Sequence, residues 1–493
     1  MKIGMISLGC PKNLVDSEVM LGLAQQSGHE LTRDPEAADV LVVNTCAFID
    51  KAKQESIDTI LEMAEYKKNG RCSRLVVTGC LAERYREELV AQIPEIDAVL
   101  GTGEVPEIVN AIRAGSRDSG LGVGDSRNNQ LIPLLHASGK PVAMRARAEE
   151  PSNPETSAPS NPRTVEPSNR PTYLYDASTP RLLATPRHYA YLKIAEGCDY
   201  KCAFCIIPTL RGGYRSREHA SVVAEARALA ARGTKELLLI SQDTSFYGID
   251  RGERGALARL LRDLNRVDGL EWIRMLYLYP TTITDDVIDA IGESEKVCNY
   301  IDLPLQHASD PVLKRMKRPG TRATYERLLA RIRQRLPGVA LRTTFIVGFP
   351  GETRQDVEAL QQFVSDTGFD HVGVFTYSHE EGTSGFALTD DVPAAEKRRR
   401  RAALMSLQKR IVTRAQRRRR GERVRLLVDG PSAEHDLVWR ARTDGQAPDI
   451  DPVVYLTETD PSSLSPGQFI TAELVGNRGY DLVARPLLAL EPA

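Results

Sequence analysis

Three short apolar runs rich in β-branched residues punctuate the first part of the chain. Each ends on a cysteine: Lys2-Ile3-Gly4-Met5-Ile6-Ser7-Leu8-Gly9-Cys10, Val40-Leu41-Val42-Val43-Asn44-Thr45-Cys46 and Leu75-Val76-Val77-Thr78-Gly79-Cys80. Stretches with helical spacing of apolar positions follow them, Ser17 to Ser27, Gln54 to Lys67 and Glu83 to Gln92. The alternation predicts a parallel α/β domain over residues 1–135. Parallel strands point one way, so the three thiols reach the same carboxyl edge, where open α/β sheets bind ligands.

A second alternation runs from Tyr189 to His379. Its strand candidates are Tyr189 to Ala195, Glu236 to Ser241, Trp272 to Tyr279, Tyr300 to Leu305, Leu341 to Phe349 and His371 to Tyr377, with helical stretches such as Arg217 to Arg232 and Tyr325 to Arg335 between them. Six βα units predict a partial TIM-type (β/α)6 barrel within residues 187–416, with its site at the C-terminal ends of the strands. Residues 136–186 break the pattern. They are dense in Pro, Ser, Asn and Thr and predict a disordered or extended linker. Short strands at Val424 to Val428, Val453 to Thr457 and Phe469 to Leu474 predict a small β-barrel over residues 417–493.

Length agrees with this division, since 493 residues suit about three domains. Met1 opens directly into an apolar run without a basic leader, and no apolar stretch approaches 18 residues, so a cytoplasmic protein without membrane spans is expected. The net charge of −1 hides an asymmetry. Residues 397–425 hold fourteen Lys or Arg against Glu422 alone, while Leu404, Leu407 and Ile411 keep an apolar stripe. That pattern fits a helix docked on the barrel or a basic strip in contact with RNA. From Leu426 onward eleven acidic residues face four arginines. An acidic barrel repels phosphates and suits a basic protein partner, with Asp444, Asp449 and Asp451 expected on that face.

Chemistry concentrates in Glu196-Gly197-Cys198-Asp199-Tyr200-Lys201-Cys202-Ala203-Phe204-Cys205, where three of the eight cysteines lie at C-x3-C-x2-C spacing. Three thiolates in one loop suit an iron–sulfur cluster with an open fourth position. A zinc site would want a fourth Cys or His nearby, and the next histidine is His219, beyond a basic run. Packing cysteines are the plainest alternative. Cys10, Cys46 and Cys80 allow the same two readings, a second cluster or simple packing, whereas Cys72 and Cys298 match neither set and read as structural. The turn Ile346-Val347-Gly348-Phe349-Pro350-Gly351-Glu352 allows either a close backbone approach to a ligand or an ordinary strand-to-helix connection. Gln242, Asp243, Gln306, His307 and Arg342 end barrel strands and are candidates to line the pocket.

The Cys198, Cys202 and Cys205 loop resembles the signature of radical S-adenosylmethionine (SAM) enzymes, and everything but the linker is similar to methylthiotransferases of the RimO/MiaB group. Ser7-Leu8-Gly9-Cys10-Pro11-Lys12-Asn13, Asn44-Thr45-Cys46-Ala47-Phe48-Ile49 and Ile194-Ala195-Glu196-Gly197-Cys198 resemble the RimO-like branch. The tRNA-modifying branch more typically reads Gly-Cys-Gln-Met-Asn at the first cysteine. The resemblance implies two [4Fe–4S] clusters, one on Cys198, Cys202 and Cys205 and one on Cys10, Cys46 and Cys80, with SAM on the open iron of the first. It implies cofactor contacts at Gly197, Phe204, Ile346, Gly348 and Glu352, and a terminal TRAM domain. The implied reaction is methylthiolation of the β-carbon of an aspartate in small-subunit ribosomal protein S-twelve, with an outside electron donor. The alternatives are a tRNA methylthiotransferase acting on a modified adenosine, and a non-enzymatic RNA- or ribosome-binding module.

Overall fold

A strand covered by helices on both faces must be apolar at almost every position, and Val40–Thr45 is buried throughout. The computed structural model describes residues 1–113, 172–432 and 435–487. In its first part Lys2–Ser7 (β1), Glu30–Thr32 (β2), Val40–Thr45 (β3), Arg74–Gly79 (β4) and Ala98–Leu100 (β5) form a parallel sheet ordered β2-β1-β3-β4-β5. The sequence pattern marks β1, β3 and β4. The other two strands have three residues each and sit at the edges, too short to show a period. The first helix spans Pro11–Gln26 rather than starting at Ser17. Its opening turn buries Lys12, Asn13 and Asp16, polar residues that hide a buried helical face from a hydrophobicity reading.

The central part follows the expected (β/α)6 plan. Tyr189–Lys193 (β6) leads into a two-stranded antiparallel ribbon, Ala195–Glu196 (β7) with Arg215–Ser216 (β8), which frames the cysteine loop. Glu236–Ile240 (β9), Trp272–Met275 (β10), Tyr300–Asp302 (β11), Ala340–Val347 (β12) and His371–Thr376 (β13) complete the six parallel strands. They pair as β10-β9-β6 and β11-β12-β13. Cys298 N donates to Ile273 O and Leu278 N to Asp302 O, each at 2.9 Å, across the seam between the trios.

Arg423–Ser432 (β14), His435–Arg442 (β15), Val454–Leu456 (β16), Phe469–Arg478 (β17) and Asp481–Pro486 (β18) close into a barrel ordered β14-β15-β16-β18-β17. This barrel docks under the N-terminal ends of the central strands. Arg442 joins Glu236 at 2.6 Å and Asp429 at 2.8 Å, and Arg274 takes the other oxygen of Glu236 at 2.8 Å. Tyr300 donates to Asp451 at 2.7 Å, and Arg342 reaches the same carboxylate at 3.1 Å. The expected acidic docking face is therefore corrected at one of its three positions, Asp451, while Asp444 and Asp449 stay exposed. Asp451 is buried in this junction, and the Asp449 carboxylate accepts from Tyr189 at 3.0 Å and Tyr191 at 3.3 Å. These acids answer arginines and tyrosines of the neighbouring domain, a pairing that composition of one domain alone does not reveal.

One apolar cluster runs through the whole assembly, joining Val15 and Val19 of the first helix, Tyr191, Leu238 and Tyr300 of the central barrel, and Leu427 and Ala447 of the terminal one. Helix Ala394–Arg418 buries Leu404, Gln408 and Val412, with Leu407 and Ile411 packed on the central core, so it is a docked helix. Its Lys409, Arg410, Arg414, Arg417 and Arg418 are exposed. Most of the expected linker, 136–171, lies outside the described residues. Residues 172–186 are not linker but packed chain. Tyr175 and Leu183 are buried, and Arg181 binds Glu18 and Glu225, each at 2.6 Å. Tyr173, Tyr175, Leu182 and Leu183 supply the apolar surface that the Pro/Ser-rich text before them lacks. Among the described residues no helix is long and apolar enough to cross a membrane.

Candidate functional site

Cys10, Cys46 and Cys80 stand just past the carboxyl ends of β1, β3 and β4, close enough for Cys46 to feel both other thiols. Gly9 makes the approach possible. Its φ is +89°, and a Cβ there would lie 2.7 Å from that of Cys46. Asn13 ties the two loops together, donating to Leu8 O at 3.0 Å and Thr45 O at 2.7 Å. Ser56 clasps the Cys46 backbone, accepting from its N–H at 3.0 Å and donating to its carbonyl at 2.9 Å. Burial pushes the Cys46 thiol up to about 12, with the neighbouring thiols adding to it. Burial likewise raises Cys80 to about 11, against the pull of Arg211.

The second trio lies in the loop after β7. Cys198 N donates to Gly212 O at 3.1 Å, Cys205 N to Cys202 O at 3.1 Å, and Ala203 N to Met316 O at 2.8 Å. Gly197, at φ +87°, lies so close to Gly213 that a Cβ would strike its carbonyl oxygen. Burial raises the Cys198 and Cys205 thiols to about 12, and Cys202 adds to both. Arg318 stands 3.7 Å from the Cys202 sulfur and over the Tyr279 ring, which stacks on Tyr200.

Between the trios lies a buried cluster of charges that sequence reasoning did not mark. Arg211 reaches the Cys80 sulfur at 3.7 Å, Asp16 at 2.7 Å and Glu196 at 3.1 Å, and also bonds Asn13. Lys193 joins the same two carboxylates at 2.5 and 2.6 Å, and Gln242 donates to Glu196. Burial pushes the Glu196 carboxyl up, but Lys193 and Arg211 prevail and hold it well below the usual range. Lys12 completes the cluster, its ammonium 2.9 Å from the Tyr277 ring centre. Burial pushes that ammonium down to about 8, against the pull of Cys10 and Glu196. The available signal was Lys193 and Glu196, charged residues inside an otherwise apolar strand run. Elsewhere between the two domains, Glu380 is buried and meets Arg84 at 2.8 Å and Lys53 at 2.9 Å, fastening the first domain to the barrel.

The remaining expected contacts divide. Phe204 and Ile346 meet in one apolar group with Ala203, Met316, Phe349 and Tyr377, beside the cysteine loop. Glu352 sits in the turn after the strand Ala340–Val347. Its side chain is fully buried, accepting from Gly348 N at 2.8 Å and pairing with Arg400 at 2.8 Å, so both carboxylate oxygens and the Gly348 amide are engaged within the turn. Gln242 points to Glu196, while Asp243 accepts from Ser245, Tyr200 and Thr282. His307 is buried, 3.5 Å from Glu352, and Arg342 belongs to the junction with the terminal barrel. Gln306 and Tyr277 carry positive φ just past the ends of β11 and β10, the kind of strain that clusters at functional sites.

All six trio cysteines are free thiols. Among the described residues no group of three His, Cys, Asp or Glu side chains is set to hold one metal ion. Each trio is an all-sulfur donor set with an arginine beside one sulfur, a donor chemistry that suits soft metal centres such as iron–sulfur clusters.

Residues 2–101 match the Uncharacterized protein family UPF0004, residues 192–364 the Radical SAM superfamily and residues 421–487 the TRAM domain. A Koribacter versatilis (strain Ellin345) protein named ribosomal protein uS12 methylthiotransferase RimO is 46% identical over 492 residues, covering 99% of this chain and 96% of its own length. A Solibacter usitatus (strain Ellin6076) protein of the same name is 46% identical over 495 residues, covering 100% and 96%. Among solved structures, the radical SAM methyltransferase TsrM from Kitasatospora setae covers 76% of this chain and 72% of its own at TM-score 0.50 and 17% identity, a likeness of fold. Identity at this level along the whole length decides the matter: the chain belongs to the RimO family of ribosomal protein uS12 methylthiotransferases.

Proposed function

We infer that this chain is a radical SAM methylthiotransferase that modifies the β-carbon of an aspartate in ribosomal protein uS12. The observation that carries the reading is the facing of two three-cysteine sites across one buried charge cluster, with Arg211 touching both Cys80 and Glu196, the residue that leads into the Cys198 loop. Cys198, Cys202 and Cys205 would hold the cluster that works with SAM, and Cys10, Cys46 and Cys80 a second one. Bound there with an electron donor, a cluster and SAM would supply hydrogen abstraction at carbon, a second cluster would supply the sulfur, and a second SAM would supply the methyl group.

The chain's own residues prepare that chemistry. Metal uptake must deprotonate thiols that burial holds neutral, and Arg211 and Arg318 favour the charged form. Phe204 and Ile346, packed with Met316 and Phe349, offer an apolar wall beside the loop for the adenine of SAM. Gly197 keeps the loop tight against Gly213. The exposed cations Lys409, Arg410, Arg414, Arg417 and Arg418 form a strip for ribosomal RNA phosphates near the protein substrate, and work on a ribosomal protein implies a cytoplasmic enzyme. Incubating the reconstituted enzyme with uS12, small subunits or tRNA, and weighing each by mass spectrometry, tests the reading. A methylthio mass gain on uS12 is expected; a gain on tRNA alone would transfer the assignment to the tRNA-modifying branch.

A further inference from the structure

The charge cluster between the cysteine trios brings Lys12, Lys193 and Arg211 together with Asp16 and Glu196. Lys193 and Arg211 share Asp16 and Glu196. Lys12 has no such partner: its side chain is buried, and among the described residues its ammonium has the Tyr277 ring and neither a hydrogen bond nor an ion pair. The other nearby carboxylate, Asp302, is paired with Arg342 at 2.9 Å and accepts from Tyr277 N at 2.9 Å. Tyr277 itself is held at φ +62° immediately beyond β10, with its ring under the ammonium. An ammonium whose donors find no acceptor is unfavourable on a buried side chain, and a ring face offsets only part of that cost. The position therefore leaves the Lys12 donors available to an acceptor from outside the chain.

We propose that Lys12, seated on Tyr277, receives the side-chain carboxylate of the substrate aspartate and makes the site selective for aspartate over asparagine. The proposal rests on the uS12 reading above. In aspartate the carboxylate carbon is bonded directly to the β-carbon, so a cation that grips the carboxylate also fixes the carbon that reacts. Lys12 lies two residues from Cys10, which sets this grip beside the sulfur-supplying site. Charge and position thus serve together: the carboxylate gives the unpartnered ammonium a charged acceptor, and its neutral amide counterpart gives a weaker one.

Binding of the iron-loaded enzyme to uS12, and to a uS12 variant carrying asparagine at the target position, tests this. Wild type should bind the aspartate form roughly tenfold or more tightly, as expected for a charged hydrogen bond. Lys12→Met keeps the apolar stem over Tyr277 and should bind both forms alike at wild-type iron content, whereas Lys12→Arg should keep most of the preference. A Lys12→Met enzyme that still prefers aspartate overturns the proposal. Loss of iron with the preference intact also overturns it, because Lys12 would then be a counter-charge for the second cluster alone. A wild-type enzyme that ignores uS12 and modifies tRNA would overturn the substrate reading together with this one.

Discussion

Cys198, Cys202 and Cys205 belong to one loop, closed by Cys198 N to Gly212 O and Cys205 N to Cys202 O. Cys10, Cys46 and Cys80 come from three strands and meet only because β1, β3 and β4 run parallel and in register. Each site nevertheless ends with an arginine 3.7 Å from one sulfur, Arg318 in the loop and Arg211 in the sheet. Arg318 otherwise engages Tyr279 and Pro304 within its own domain, while Arg211 reaches across to Asp16 of the first. The loop site is thus a local structure, and the sheet site is a product of domain docking. Damage to the interface should reach the sheet site first.

The largest expected effect separates their roles. Alanine at Cys198, Cys202 and Cys205 should abolish reductive cleavage of SAM, followed as 5′-deoxyadenosine by chromatography. Alanine at Cys10, Cys46 and Cys80 should leave cleavage detectable while methylthio product disappears. Loss of cleavage in both would merge the two sites into one functional unit. Next, Arg211→Leu strands the buried carboxylates of Asp16 and Glu196 with Lys193 alone, a loss of about 3–5 kcal/mol in denaturant unfolding. Arg318→Leu leaves no carboxylate unpaired and should cost less. Equal losses would break the distinction drawn between the two arginines.

A smaller effect is set by pH at the other end of the barrel. Burial pushes the Asp429 carboxyl up, but Arg442 and His188 prevail and hold it at about 2. The unfolded carboxyl titrates near 3.9, so the folded form is the stronger acid. Its contribution is complete above that value and lost as pH falls through about 2. Asp429→Asn should remove about 2–3 kcal/mol at neutral pH and flatten the acid limb of the stability curve. Smallest of all, Asp444→Lys alters an exposed acid and should change stability by less than about 0.5 kcal/mol. Asp451→Lys, placing a second cation beside Arg342, should prevent normal docking of the terminal barrel.

The loop site was legible because its spacing is local: three cysteines in ten residues need no fold to bring them together. The sheet site was legible through repetition, since cysteines at the ends of equivalent βα units reach one edge. What escaped were residues whose meaning depends on another domain. Lys12 and Asp16 look like the solvated face of a helix until Tyr277, Lys193 and Arg211 close over them. Asp451 looks like surface charge until Tyr300 and Arg342 meet it. The bracing of the turn by the Glu352 carboxylate, which accepts from Gly348 N, also has no signal in periodicity. Hydrophobic periodicity finds faces that avoid water and is silent about buried ion pairs.

Iron analysis after anaerobic reconstitution tests the central claim, that each trio anchors its own cluster, most directly. The wild-type chain should carry about eight irons, and each triple alanine variant about four. A wild-type chain holding only about four, with one of the two variants unchanged, would contradict the account.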